Sequence, residues 1–131
     1  MAELSKEVKI IFAINAIPCF IYTFLFLVIP DTYAQITEAT MYNPISYRQI
    51  GASILVLAIG NVLAIKRDDL EKAKIFWEIG IIWVLLMLII GIWGVFAIPG
   101  TATAQANTWI ANTILIVLSL LNIYVYYRET K

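Results

Sequence analysis

The sequence predicts an all-α integral membrane protein: one domain, 1–131, forming a four-helix bundle with both termini cytoplasmic. Three observations predict it. The 131 residues are 62% hydrophobic and 14% charged, with a mean hydropathy of +0.87, whereas soluble domains are roughly half apolar and a quarter charged. The apolar residues gather into four runs, 8–29, 47–65, 75–99 and 108–127, each near the roughly 20 helical residues that cross a hydrocarbon core about 30 Å thick. Of the nine Lys and Arg residues, all but Arg48 lie at Lys6, Lys9, the 66–74 stretch, Arg128 and Lys131. Short loops rich in Lys and Arg stay cytoplasmic, which sets the expected orientation in a cell membrane. The runs are too long and too poor in alternation for the tilted strands of an outer-membrane barrel.

The first run, preceded by Lys6 and Lys9, exceeds the 7–15 apolar residues usual for a secretory signal. No small-x-small cleavage site follows it, so it is expected to remain as a span. Pro18 before Cys19 gives no lipoprotein site. Inside a helix Pro18 removes one hydrogen bond and crowds the carbonyl of Ile14, so a kink is expected there. Next, Thr32 and Gln35 have capping-box spacing, and a short helix reaching Met41 would lie on the headgroups until Asn43-Pro44 ends it. Ser46 and Gln49 repeat the capping spacing ahead of the second run. Arg48 stands at the interface, able to pair with Asp31 or Glu38 or to snorkel to lipid phosphate. The stretch "KRDDLEKAK" at 66–74 is expected as the cytoplasmic loop between the second and third runs, with Asp68 or Asp69 capping the third and Glu71 next to Lys74 at i, i+3. Tyr33, Tyr42, Tyr47 and Trp109 suit one aromatic belt, and Trp77, Tyr124, Tyr126 and Tyr127 the other.

At 3.6 residues per turn the polar and small residues fall on common faces. The first run aligns Asn15, Cys19, Tyr22 and Phe26; the second aligns Gln49, Ser53, Leu57, Gly60 and Ala64, with Asn61 beside them. The third carries the small-residue stripe Gly80, Val84, Met87, Gly91 and Gly94. The fourth aligns Thr108, Asn112, Leu115, Ser119, Asn122 and Tyr126. Polar faces turn toward protein because unsatisfied groups in hydrocarbon are costly. Counting 1.5 Å per residue, Asn15, Asn61, Glu78 and Asn122 each lie about 4–9 Å from the cytoplasmic edge of their spans, in one polar layer. That layer either coordinates a cation, a proton or a lipid headgroup, or it joins the helices by hydrogen bonds while Glu78 pairs with Lys74. Arg48, Gln49 and Asn112 are the candidate outer interface.

Absent residue types narrow the chemistry. There is no histidine and one cysteine, which removes histidine-ligated metals, bis-histidine haem, histidine acid-base chemistry and cysteine-held clusters. No cofactor is expected, and nothing resembles a nucleophile beside a base, so the chain is not expected to be an enzyme. Lipid is the expected surrounding, with a second copy or another membrane protein as partner, and nucleic acid is not.

The four spans and the opening of the second, "YRQIGASILVLAIGNVLA" with Arg48, Gly51 and Ala52, resemble small DoxX-like four-helix membrane proteins. The resemblance implies the general plan and assigns no site. Two functions fit the sequence. One is an accessory protein that associates through small-residue faces, with Gly60 and Ala64 at small-xxx-small spacing and Gly80, Gly91 and Gly94 opposite. The alternative is an oligomeric transporter or channel for a small molecule, ion or lipid. No acid lies between Glu7 and Asp31, which argues against a proton-coupled exchanger of the small multidrug type.

Overall fold

A computed structural model describes residues 2–131, and it is helical with no strand among the described residues. The elements are α1 (Lys6–Thr23), a π-helical turn (Phe24–Val28) that extends it, α2 (Pro30–Ile36), α3 (Pro44–Arg67), α4 (Leu70–Ala97) and α5 (Ala102–Thr130). Four of these, with α1 and its extension counted together, are long and apolar enough to cross a membrane.

Each long helix starts at a side-chain cap that satisfies an otherwise orphaned N–H. Ser5 accepts from Val8 N at 3.2 Å, Asp69 from Lys72 N at 3.2 Å and Thr101 from Ala104 N at 3.2 Å. Asn43 accepts from both Ile45 N and Ser46 N, at 2.9 and 3.0 Å. That corrects the sequence expectation at this point. Asn43-Pro44 opens a helix instead of closing one, because proline at the first position lacks only an N–H that would go unpaired anyway. Ser46 is already inside α3. In the same way Pro30, and not Thr32, begins the short helix, which ends at Ile36 before the left-handed Glu38 (φ 51°).

A departure from regular α geometry lies beyond Pro18. Helix α1 passes through Pro18 without interruption, and the departure from α geometry comes at Phe24–Val28, where Ile29 N donates to Phe24 O five residues back at 3.2 Å. The wide turn presses against α3 at Gly51. A Cβ on Gly51 would stand 2.8 Å from Leu27 N and 3.0 Å from Leu27 Cβ, so glycine is what allows the two backbones to meet.

The charged stretch is mostly helix. Helix α3 continues to Arg67 and α4 begins at Leu70, so only Asp68 and Asp69 form the turn. Asp68 takes the left-handed conformation (φ 51°) that ends many helices, and its N–H donates to Ala64 O. Its carboxylate accepts from Leu4 N at 2.9 Å and from Lys9 Nζ at 2.8 Å, while Leu70 N donates to Ala2 O at 3.0 Å. The N-terminal residues are thereby tied across the turn, and Glu7 pairs with Arg128 to bring the end of α5 to the same place. The hydrogen bond from Lys9, together with that from Leu4, holds the Asp68 carboxyl below the usual carboxylate range. A depressed folded pKa means the tie contributes above the ordinary Asp pKa and is lost as the pH falls through the folded value. The protection of the Leu4 amide, its exchange relative to the intrinsic rate at each pH, should therefore fall on acidification, and in Asp68→Asn it should already be lower at neutral pH.

Around the bundle the helices run α1, α3, α4, α5. Contact is extensive along α1–α3 and α4–α5 and thinner along α1–α5, and α3 and α4 are the most sparsely packed neighbours although they share the shortest turn. The core sits at the end of the bundle that carries the termini. Leu4, Val8, Ile11 and Phe12 pack there on Ala64, Ala73, Trp77 and Val125. Helix α4 is the least enclosed: only Ala73 and Trp77 are buried, and Ile79, Ile82, Leu86 and Phe96 stand exposed as a lipid-facing helix requires.

Candidate functional site

Beyond this core the helices separate around a cavity of about 180 Å³. Helix α1 contributes Asn15, Cys19, Tyr22 and Phe26, which is the face its spacing predicts. From α5 come Leu115, Ser119 and Asn122, from α4 Gly80, Val84 and Met87, and from α3 Ile50, Ile54, Leu57 and Asn61. The α3 face is rotated from the predicted one, since Ser53 and Gln49 are exposed and Ser53 Oγ bonds back to Ile50 O at 2.7 Å. The seam between α3 and α4 beside the cavity is the most sparsely packed of the bundle, closed in part by the Phe76 ring against Gly60.

The floor is an amide network. Asn15 Nδ2 donates to Asn122 Oδ1 and Asn122 Nδ2 donates to Asn15 Oδ1, both at 2.8 Å. Trp77 Nε1 donates to Asn122 Oδ1 at 2.9 Å, and Asn122 Nδ2 also donates to Leu118 O at 2.7 Å. Asn122, 5% exposed, thus uses both N–H groups and both lone pairs. Trp77 was placed by sequence in an aromatic belt; instead it is 2% exposed, packed on Phe12 at 5.3 Å and edge-on to Tyr126 at 5.2 Å. Its indole N–H needed a buried acceptor, and the amide spacing of α5 supplies one.

Of the four residues of the expected polar layer, Asn15, Asn61 and Asn122 line the cavity and Glu78 does not. Glu78 accepts a short hydrogen bond from Tyr126 on another face of α4, since one position separates it from Trp77 and turns it by about 100°. No ion pair joins it to Lys74 among the described residues. Asn61 behaves differently from the other amides. Its Nδ2 donates to Leu57 O at 2.7 Å, and its Oδ1 is buried with no partner. Because Leu57 O can only accept, the amide orientation is fixed and the oxygen is the free end. An orphaned buried acceptor costs about 1–3 kcal/mol.

The remaining sequence candidates fall elsewhere. Asn112 is 1% exposed and lies against Gly91 between α5 and α4, not at an interface, and its Nδ2 has no partner. Arg48 and Gln49 are exposed at the opposite end from the termini. There Tyr42 donates to Asp31, and no ion pair joins Arg48 to an acid among the described residues. Gly60 receives the Phe76 ring and Ala64 is buried in the core, so this small-residue pair is covered by side chains of its own chain. Gly80 and Gly94 have nothing within 4 Å of where a Cβ would stand: Gly80 opens on the cavity, and Gly94 on a second hollow near Gln105 and Thr108. Trp77, assigned by sequence to a belt, was thereby missed as a wall of the chamber and a donor to Asn122.

The fold is a bundle of four helices long and apolar enough to cross a membrane, with a chamber among them. Set against protein-family models, curated proteins and solved structures, the chain matches none of them.

Proposed function

We propose that this is a multi-pass protein of the cell membrane that holds a small apolar molecule taken from the bilayer, entering between α3 and α4. The single observation that carries this is the cavity: an apolar chamber among the four long helices, beside the sparsely packed α3–α4 seam. A closed cavity of about 150 Å³ lined by Leu, Ile and Phe accommodates benzene, so a chamber of this size suits a ring or a short chain. Binding, without chemistry on the ligand, fits the residues present, since the chamber wall carries amides, one thiol and hydroxyls but no acid. The distribution of Lys and Arg supports cytoplasmic termini, and then the amide floor lies toward the inner leaflet.

The accessory reading, association through small-residue faces, keeps less support. Gly60, Ala64 and Gly91 are engaged within the chain, which leaves Gly80 and Gly94 for a partner, and Gly80 faces the chamber. An ion pathway fits poorly with an apolar wall.

The test uses bromobenzene as a quencher of tryptophan fluorescence in a Trp93→Phe, Trp109→Phe background, where Trp77 and Trp83 at the chamber remain. Quenching is expected to saturate with concentration. In Gly80→Leu, whose Cβ has nothing within 4 Å and whose branched end would occupy the chamber, it should become linear, as for simple partitioning into the bilayer. Linear quenching in both proteins would refute the reading.

A further inference from the structure

We propose that the chamber selects a ring-sized apolar molecule carrying one hydroxyl or N–H donor, and that Asn61 Oδ1 receives that donor. The proposal rests on the binding reading above and adds the chemistry of the ligand's polar end.

Three observations carry it. Asn61 is 5% exposed and lines the cavity, yet its Oδ1 has no hydrogen-bond partner. The bond from its Nδ2 to Leu57 O fixes which end of the amide is free, so the unpaired group at this wall is an acceptor, which a small shift of the side chain would bring to a ligand's donor. The other amide oxygens of the chamber are already engaged: Asn122 Oδ1 accepts from Asn15 and Trp77, and Asn15 Oδ1 accepts from Asn122 and keeps one lone pair, so Asn61 Oδ1 is the one with no partner at all. Ser119 Oγ donates its hydrogen to Leu115 O at 2.7 Å, so it offers the ligand lone pairs but no donor. Tyr22 also reaches the chamber, but its hydroxyl both donates and accepts and therefore discriminates little. The wall suits a flat ligand: Phe12, Phe26, Phe76, Trp77 and Trp83 line it, and rings pack edge-on or offset against other rings. An ether or ketone of the same shape would turn a lone pair toward the Asn61 oxygen and leave both unpaired.

A purely structural asparagine would show the opposite pattern of satisfaction. Asn122 forms three bonds to other helices and one within its own, and removing it should break the bundle. Asn61 forms one bond within its own helix and leaves its oxygen idle. Replacing such a group by an apolar one of similar shape is neutral or stabilising. Asn61→Leu should therefore fold with an unfolding midpoint equal to or above that of the unaltered protein.

The experiment compares 4-bromophenol with 4-bromoanisole by the saturable tryptophan quenching described above, each corrected for its own bilayer partitioning. In the unaltered protein the phenol should half-saturate at about tenfold lower concentration, the factor one neutral hydrogen bond supplies. In Asn61→Leu the two should become equal while bromobenzene still saturates. Equal half-saturation of phenol and anisole in the unaltered protein would overturn the donor assignment with no variant needed, while saturable bromobenzene would leave the chamber intact. An unchanged phenol preference in Asn61→Leu would overturn the assignment to this residue. Loss of saturation for all three compounds in the unaltered protein would instead overturn the chamber itself.

Discussion

Asn122→Leu is expected to lower the stability of the bundle by about 2–4 kcal/mol, read as an earlier transition on titrating mixed micelles with SDS. One side chain holds three helices: its amide pairs reciprocally with Asn15 of α1 and accepts from the indole of Trp77 on α4. Individual interhelical hydrogen bonds in membranes average about 0.6 kcal/mol, so three of them give about 2 kcal/mol. The rest comes from what is left behind. Trp77 is 2% exposed, and its N–H would have no acceptor in an apolar surrounding. The Asn15 amide would lose both of its bonds. Because those two residues satisfy each other, Asn15→Leu combined with Asn122→Leu should cost less than the sum of the single changes. Additive losses would mean that the amide pair does not hold α1 to α5.

Gly51→Ala carries the second large effect. The added methyl would lie 2.8 Å from Leu27 N and 3.1 Å from the Phe26 carbonyl carbon, and backbone atoms cannot turn aside as a side chain can. Helix α3 must withdraw from the wide turn of α1, at a cost of about 1–3 kcal/mol. Gly80→Ala is the internal control. Nothing lies within 4 Å of its added Cβ, so it should be neutral or, through helix propensity, stabilise by up to about 1 kcal/mol. Thermal unfolding in the same detergent separates the two, and equal behaviour would contradict the close approach of α1 and α3.

The four helices were legible because lipid imposes a single simple demand, a run of about 20 apolar residues, and composition alone reveals it. Their ends were less so. Two prolines, Pro30 and Pro44, start helices in the structure, and a local reading of Asn43-Pro44 serves equally well as a stop or as a cap with proline at the first helical position. The charged stretch at 66–74 looked like a loop because seven of its nine residues carry charge. Water outside the bilayer lets a helix continue through such residues, and two aspartates make the whole turn.

Part of the chamber was also visible. Helical spacing brought Asn15, Cys19, Tyr22 and Phe26 to one wall, and the depth count brought Asn15, Asn61 and Asn122 to one level. The depth count could not see rotation about the helix axis, which is what sends Glu78 to Tyr126 and brings its neighbour Trp77 inward. Nor could spacing show whether a small residue meets a helix, a ring or a hollow. Gly60, Gly91 and Gly80 have one pattern in sequence and three surroundings in the fold: the Phe76 ring, the Asn112 amide and the chamber.

The central claim is that the chamber holds a molecule drawn from the membrane. Native mass spectrometry on the protein released gently from its own membrane tests it most directly. A small apolar molecule should be retained at one per chain, and lost from Gly80→Leu prepared in the same way. A bare chain, or the same adduct on both proteins, would contradict it.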